Sequence, residues 1–277
     1  MKKVIIVPNT LKKSTTEYAS DLLKTLAERG ICAEIYNDGD DVPSDALAIV
    51  LGGDGTILRC AKKFYSKNVL IFGINFGHMG YLSAISPDEA IEGIERLISG
   101  EYTIESRSMI SGEVIRDGNA VYSFIALNEA CVFRSSLMHA LRAELLINER
   151  HTETIIGDGV IASTSTGSTA YNLSVGGPVL TPSSKNMVIT PISPTYFPRS
   201  SIVVDEGDKL QIIINFETVG ENGAPCVEID GEARFELQNG DVIKIERAPY
   251  TAQIVKITEK SFYQILREKL SRASLDQ

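Results

Sequence analysis

Asp54 stands inside a glycine turn, Leu51-Gly52-Gly53-Asp54-Gly55-Thr56, that directly follows an almost wholly apolar run from Ala46 to Leu51. Such a run reads as a central strand of an open α/β sheet, and ligands of these sheets bind outside the carboxyl ends of the strands. Glycines let the backbone approach a phosphate closely and turn its N–H groups outward, and Thr56 opens a helical pattern whose positive end favours anions. Asp54 has the wrong sign for that loop. A carboxylate there repels a phosphate unless it binds a metal or takes a proton from a nucleophilic hydroxyl, so Asp54 is a candidate general base. The same turn also suits a plain strand-to-helix connection with Asp54 as a capping carboxylate, and the loop alone does not choose between the two. No G-x-x-x-x-G-K-[ST] and no G-x-G-x-x-G after a strand occurs, which excludes the common P-loop and dinucleotide fingerprints.

Two further phrases carry polar chemistry. Ser168, Thr169 and Tyr171 offer hydroxyls beside Gly167, with Gly176-Gly177-Pro178 close behind. Such a loop can grip phosphate or ribose, although a Ser/Thr-rich connection between strands looks much the same. Asn128-Glu129 interrupts an apolar stretch running from Phe124 to Leu127 and again from Ala130 to Phe133. A charged residue in a buried strand costs free energy unless its groups are satisfied, which favours ligand contact over an exposed strand face.

The elements that must hold these residues fall into two patterns. Up to about residue 99, strand-like runs at Val4 to Val7, Ile31 to Tyr36, Ala46 to Leu51 and Val69 to Ile74 alternate with helical spacing. Ser14-Thr15-Thr16-Glu17 reads as a capping box for a helix carrying Tyr18, Leu22, Leu23, Leu26 and Ala27 and ending at Gly30. Ser86-Pro87-Asp88-Glu89 reads as a second box, for a helix carrying Ile91, Ile94, Leu97 and Ile98. Alternation of this kind predicts a parallel, Rossmann-like sheet covered on both faces. From about residue 100 to 259 the period changes to two, with runs at Val121 to Phe124, Leu145 to Ile147, Ile202 to Val204, Leu210 to Ile214, Val242 to Ile245 and Ile254 to Ile257. Asp117-Gly118 and Asn239-Gly240 supply turn chemistry. The fold expected is therefore α/β: an N-terminal Rossmann-like α/β domain (1–99) plus a C-terminal β-rich, β-sandwich-like domain (100–259). Residues 260–277 recover a helical period and are expected to pack back on the first domain.

Bulk composition narrows the class. A formal charge of -9 and the absence of a basic run argue against a nucleic-acid partner. No apolar stretch reaches the roughly 18 to 20 residues a bilayer span requires, so no membrane partner is expected. Cys32, Cys60, Cys131 and Cys226 form no C-x-x-C, and the three histidines form no H-x-x-H or H-E-x-x-H. They read as scattered core residues in a reducing, cytoplasmic setting, and no protein-ligated metal is expected.

The order of the phrases says more than any one of them. Gly-Gly-Asp-Gly-Thr, then Asn75-Phe76-Gly77-His78-Met79-Gly80-Tyr81-Leu82, then Asn128-Glu129, then Gly157-Asp158-Gly159-Val160-Ile161 leading into Thr166-Gly167-Ser168-Thr169-Ala170-Tyr171, resembles the NAD kinases of bacteria and archaea. The resemblance covers about residues 46 to 235. Lipid kinases and phosphofructokinases share a similar first motif but lack the second glycine phrase and the Thr-Gly-Ser-Thr-Ala-Tyr segment.

The resemblance implies that Asp54 is the proton acceptor and that Gly53, Gly55 and Arg59 line the dinucleotide site beside it. It implies that Asn128 and Glu129 contact NAD, and that His139, Asp158, Thr166, Thr169, Ala170, Tyr171, Asn172, Leu173 and Ser174 are further binding positions. A solvated surface histidine remains a rival reading of His139. Asp230-Gly231-Glu232 resembles a late family motif commonly reading Asp-Gly-Gln, and a hairpin turn explains Asp230-Gly231 equally well. Departures fall at Ser165, where the family often has proline, at Ile156, where it often has a basic residue, and at Thr195 in its frequent Pro-His pair. They bear on cofactor preference and loop shape.

The implied reaction moves the γ-phosphoryl of ATP, or of polyphosphate in its place, to the 2′-hydroxyl of the adenosine ribose of NAD. Mg2+ carried on ATP is expected to offset repulsion between an acidic pocket and anionic substrates. The resemblance further implies a homodimer or homotetramer, with the site in a cleft between the domains and subunits completing each other's sites. Two other readings remain: a lipid or sugar-phosphate kinase sharing the glycine turn, and a non-catalytic NAD-binding regulator.

Overall fold

The computed structural model describes residues 3–77, 80–134, 140–196, 200–216, 224–257 and 260–273. The chain divides into two compact units, Met1–Ser106 with Thr251–Gln277, and Arg107–Tyr250.

The first unit begins with β1 (Val4–Pro8), α1 (Lys13–Glu28), β2 (Ala33–Ile35), β3 (Leu47–Gly52), α2 (Asp54–Phe64), β4 (Leu70–Asn75) and α3 (Ala90–Ser99). Its strands run parallel in the order β2-β1-β3-β4. The order reverses between β1 and β3, so their carboxyl ends flank the crevice where open α/β sheets take ligands. Period-two alternation assigns the two faces. Ile49, Leu51, Phe72 and Ile74 share one core with Ala19, Leu22 and Leu26 of α1 and Ile94 and Leu97 of α3. Gly73 points to the opposite face, where Ile57 of α2 fills the space its missing side chain leaves. The predicted Rossmann-like sheet covered on both sides is thus present.

Helix starts differ from the sequence reading at one place. α1 starts at Lys13, and its N-cap, Lys12, makes no side-chain cap bond. The Ser14 to Glu17 box is not formed, because Thr15 is buried and turns its hydroxyl onto the carbonyls of Asn9 and Lys12 instead. At Ser86 the box does form, and it caps a short 3-10 turn, Pro87–Glu89, that runs into α3.

A long strand, β5 (Thr103–Arg116), carries the chain into the second unit. There follow β6 (Asn119–Ala126), β7 (Glu129–Phe133), β8 (Leu141–Ile147), β9 (Arg150–Gly157), β10 (Gly159–Ser163), the short α4 (Tyr171–Ser174), β11 (Met187–Ile192), β12 (Ile202–Val204), β13 (Leu210–Asn215), β14 (Cys226–Ile229) and β15 (Ala233–Glu236). The last strand, β16 (Val242–Lys256), precedes the final helix, α5 (Phe262–Ala273). One antiparallel sheet of this unit has the order β12-β11-β10-β7-β14-β15. Across its inner face lie the antiparallel pairs β13/β8 and β8/β9, the first half of β16 on β13, and the β5/β6 hairpin. Val132, Val160, Ile189 and Val227 from the first sheet share a core with Ile110, Leu145, Ile212 and Ile243 from the second. That is the expected β-rich sandwich. The hairpin turns on Asp117 and Gly118, both at positive φ (50° and 80°), as a two-residue loop of the primed type requires.

Where the period-two reading expected two strands, at Val242 to Ile245 and Ile254 to Ile257, β16 is one strand of 15 residues. Its first part pairs antiparallel with β13, and its far end runs parallel to β4 (Gln253↔Leu70, Ile254↔Ile71). Residues from Thr251 therefore group with the first unit. In the first unit, Phe262 of α5 lies 6.2 Å from the Tyr81 ring and Lys269 Nζ sits 4.3 Å over it.

Gly73 supports a stability prediction. A Cβ there would meet Ile57 Cδ1 at 2.4 Å and the Ser83 Cα at 3.1 Å. The first can swing away but the second is backbone. Gly73→Ala is expected to lower the unfolding free energy by about 1–3 kcal/mol, read as a lower midpoint in urea with an unchanged slope.

Candidate functional site

In the first unit, β3 delivers the glycine turn at its carboxyl end and Asp54 is the first residue of α2. The N-cap is Gly53, and the helix has no side-chain cap bond. Asp54 therefore does not act as the capping carboxylate that the loop also allowed. Its carboxylate instead crosses to the segment after β4, where Oδ2 accepts the N–H of Tyr81 (2.7 Å) and Oδ1 accepts those of Leu82 (3.2 Å) and Ser83 (3.4 Å). Gly80 makes this approach possible, since a Cβ there would stand 1.7 Å from Asp54 Oδ1. The turn is braced by Gly80 N–H donating to Ser83 Oγ. A carboxylate has about four lone-pair sites. Three are used here, and an acceptor position on Oδ2 remains for a substrate hydroxyl. Burial first, then the Asp54 charge, pushes the Tyr81 phenol above its ordinary pKa.

In the same unit, a cavity of about 560 Å3 opens between the end of β1 and α2. Asn9, Thr10, Thr56, Arg59 and Lys63 line it. Gly55 and Arg59 are exposed, and Arg59 Nη2 donates to Thr56 Oγ1 at 3.4 Å. Lys63 is engaged by Asp38 and lies 5.0 Å from the Tyr36 ring centroid.

In the second unit, Asn128 and Glu129 do not interrupt one long strand as the sequence suggested. β6 ends at Ala126 and β7 begins at Glu129, with Leu127 and Asn128 forming a bend. Asp230 holds that bend. Its Oδ2 accepts Leu127 N–H (3.1 Å), and its Oδ1 accepts those of Asn128 (2.8 Å) and Glu129 (3.0 Å). Asp230 has φ 49°, the left-handed value of a turn residue, so its hairpin role and its grip on the bend coexist. Glu129 is 7% exposed, and its Oε2 has no hydrogen-bond partner among the described residues. Burial, reinforced by the charge of Asp230, raises its carboxyl to about 8 from the ordinary 4.5.

The Thr-Gly-Ser-Thr-Ala-Tyr phrase folds directly against this bend. Thr164 N–H and Thr164 Oγ1 donate to the carbonyls of Asn128 (2.8 Å) and Leu127 (2.5 Å). Gly167 is close-packed: a Cβ there would meet Asn128 O at 2.2 Å. Thr166 is buried within 3.5 Å of Arg107 Nη1, a 3-10 turn spans Gly167–Thr169, and α4 follows. Thr169, Ala170 and Leu173 are half-buried, and Tyr171 and Ser174 are exposed. Asn172 is fully buried. Its Nδ2 donates to Ser168 O and Pro178 O, both at 3.1 Å, and its Oδ1 accepts Thr190 Oγ1 at 2.7 Å. Every polar atom of that side chain is committed to holding the loop. Tyr171 packs 5.9 Å from the Phe133 ring. Asp158 is bound by Arg134 Nη2 at 2.8 Å, a partner that sequence spacing did not signal. His139, with His78 and Met79 of the second glycine phrase, lies outside the described residues. Among the described residues no group of three or more His, Cys, Asp or Glu side chains is placed to hold a metal ion.

Two predictions follow from the second unit. Asn172→Ala leaves several buried partners unsatisfied and is expected to cost about 2–4 kcal/mol of stability, seen in urea unfolding without ligand. For Glu129, the folded-state pKa is raised, so its contribution is fully present below about 4.5 and lost as pH rises through about 8. Unfolding free energy measured from pH 5 to 8.5 is therefore expected to fall by on the order of a few kcal/mol, and Glu129→Gln is expected to flatten that slope.

Comparison with known proteins agrees with this geometry. Residues 127–257 match the family model described as the ATP-NAD kinase C-terminal domain, and residues 40–102 match that of the ATP-NAD kinase N-terminal domain. The chain is 34% identical to an NAD kinase of Natranaerobius thermophilus, with 98% of each chain covered, and 38% identical to one of Carboxydothermus hydrogenoformans, with 82% of this chain and 80% of that one covered. Among solved structures, an Archaeoglobus fulgidus NAD kinase in complex with ATP superposes with TM-score 0.77 at 25% identity, over 97% of this chain and 98% of that one. A yeast NADH kinase complexed with NADH has the same fold, with TM-score 0.83 at 21% identity, over 96% and 86%. With relatives above 30% identity along nearly its whole length and both domain models matched in order, the chain belongs to the NAD kinase family.

Proposed function

We propose that this protein transfers the γ-phosphoryl group of ATP to the 2′-hydroxyl of the adenosine ribose of NAD, giving NADP and ADP, with Asp54 as the general base. The observation that carries the assignment is the Asp54 carboxylate itself, fixed by the N–H groups of Tyr81, Leu82 and Ser83 with an acceptor position left on Oδ2. The hydroxyl oxygen attacks the γ-phosphorus, the bond from that phosphorus to the β–γ bridging oxygen breaks, and the hydroxyl proton passes to Asp54. Phosphoryl transfer runs through a loose transition state, so positioning and charge stabilisation matter more than base strength. A carboxylate bound by three amides is held in one place, which suits that requirement.

Asn128, Glu129, Asp158, Thr166, Thr169, Ala170, Tyr171, Leu173 and Ser174 are assigned to NAD, with the buried Asn172 acting by holding their loop. The cavity lined by Thr56, Arg59 and Lys63 is assigned to nucleotide phosphates, on the strength of its two cationic side chains and its place at the end of the parallel strands. The ATP complex of the archaeal relative supports ATP as donor, and the NADH complex of the yeast protein supports a dinucleotide acceptor. Mg2+ enters as part of the MgATP substrate, since this ion is held by substrate phosphates with one or two carboxylates rather than by a protein cage, and it neutralises phosphate charge. The protein is proposed to act in the cytoplasm as a homo-oligomer. No helix among the described residues is long and apolar enough to cross a membrane.

The decisive assay incubates purified protein with ATP, Mg2+ and NAD and detects NADP with an NADP-specific dehydrogenase, with polyphosphate and NADH in parallel arms. Asp54→Asn is expected to reduce kcat by about 10²- to 10⁴-fold while leaving NAD binding, measured calorimetrically, near the native value. Equal loss of binding and turnover would remove Asp54 from the role of base.

A further inference from the structure

The turn that holds Asp54 is gripped a second time from behind. Lys256, the last residue of β16, is 6% exposed. Its Nζ donates to the carbonyls of Tyr81 and Leu82, both at 3.1 Å, and to that of Ser83 at 3.5 Å. These are the same three residues whose N–H groups point at Asp54. The tripeptide thus lies between a carboxylate and an ammonium, with its N–H ends toward the anion and its C=O ends toward the cation. Two peptide groups, Tyr81–Leu82 and Leu82–Ser83, bind both charges at once, and there each charge polarises the bonds made by the other. Burying an ammonium costs several kcal/mol unless it is fully hydrogen-bonded, so the ammonium holds these carbonyls in place as firmly as they hold it.

Other charged and titratable groups meet the turn as well. Tyr81 lies under Lys269 from α5, and Lys12 Nζ reaches the Phe76 carbonyl at 3.4 Å. Neither binds the carbonyls of residues 81–83 as Lys256 does.

We propose that Lys256 is a positioning residue for phosphoryl transfer: it fixes the Tyr81–Leu82–Ser83 amides in the orientation that holds the Asp54 carboxylate toward the acceptor hydroxyl. This rests on the assignment of Asp54 as base. Lys256 is buried behind the turn, on its carbonyl side, so its loss is expected to act on turnover rather than on substrate binding. Without the ammonium the three amides lose their fixed direction, and the carboxylate loses its aim.

The test compares native enzyme with Lys256→Met, which keeps the apolar stem without the charge, Lys256→Arg, Asp54→Asn and the double variant Asp54→Asn/Lys256→Met. Lys256→Met is expected to lower kcat by about 10- to 100-fold with KM for NAD and for ATP within about 2-fold. Lys256→Arg is expected to recover most of the rate. In the Asp54→Asn background, Lys256→Met is expected to cost less than about 2-fold more, since the residue it orients is already gone. If Lys256→Met does not fold, Lys256→Gln, which keeps a donor without charge, takes its place with the same expectations. Native kcat in a folded Met or Gln variant, or full additivity with Asp54→Asn, would overturn the proposal while leaving the base in place. Native turnover in Asp54→Asn would instead overturn the base, whatever Lys256 does.

Discussion

Three backbone N–H groups on one carboxylate organise the first unit. Asp54 is placed by the end of β3 and the start of α2, whereas its partners, Tyr81 to Ser83, come from the connection after β4. For the two to meet, β3 and β4 must be neighbours, α2 must press close to the sheet, and the turn must come in over it. Each condition has its own residue: the β3/β4 register pairs Gly52 with Asn75, Gly73 admits Ile57 and Ser83, and Gly80 clears room for the carboxylate. The apolar cores on the two faces of the sheet keep these approaches from relaxing.

The second unit uses the same device for a different purpose. Asp230 also accepts three consecutive N–H groups, from Leu127, Asn128 and Glu129, but it is 8% exposed and serves the bend between β6 and β7. The bend then leaves the Asn128 and Leu127 carbonyls for Thr164, and so draws the Thr-Gly-Ser-Thr-Ala-Tyr segment onto the same place. Two phrases that are far apart in the chain become one surface because a third, Asp230-Gly231, holds the first of them. A hydrogen-bonded carboxylate is rigid on this scale, since moving it strands several buried donors together.

What the sequence disclosed follows the reach of each signal. The turn at Asp117-Gly118 and the glycine turn at Asp54 are local, and they are where the sequence reading puts them; the strand and helix periods are local too and depart from it at the Ser14 box and at β16, which is one strand instead of two. Long-range partners are not local. Gly80 was visible only as part of a glycine spacing, although its lack of a Cβ is what lets Asp54 reach the turn. Lys256 sits in a period-two run and reads like any lysine on a strand, yet it is buried against carbonyls contributed by residues 81 to 83. Arg134 gave no signal because its partner, Asp158, lies 24 residues on and meets it only through the pairing of β7 with β10. Asn172 stands as a binding position only through the family resemblance, and nothing local in the sequence signalled that its polar atoms would be engaged by Ser168, Pro178 and Thr190. Asn128-Glu129 was recognised as costly to bury; the bend satisfies the backbone N–H groups of both residues through Asp230, whereas the buried Glu129 carboxyl keeps an unpartnered Oε2 among the described residues.

Acidity remains the chemical difficulty for an enzyme with a formal charge of -9 and anionic substrates. The carboxylates of the site phrases meet it in separate ways. Asp54 faces backbone dipoles, Asp158 is paired with Arg134, and Asp230 is enclosed by amides. Glu129 has no such partner on Oε2, and with its carboxyl raised to about 8 it is mostly protonated at neutral pH. A protonated acid can donate to an oxygen of a bound dinucleotide, which an ionised one cannot. Its neutrality also removes the repulsion that a buried charge beside Asp230 would impose on a diphosphate. The charge left for a divalent cation to offset is therefore mainly that of the substrates themselves, which is consistent with a cation that arrives on ATP instead of one held by the protein.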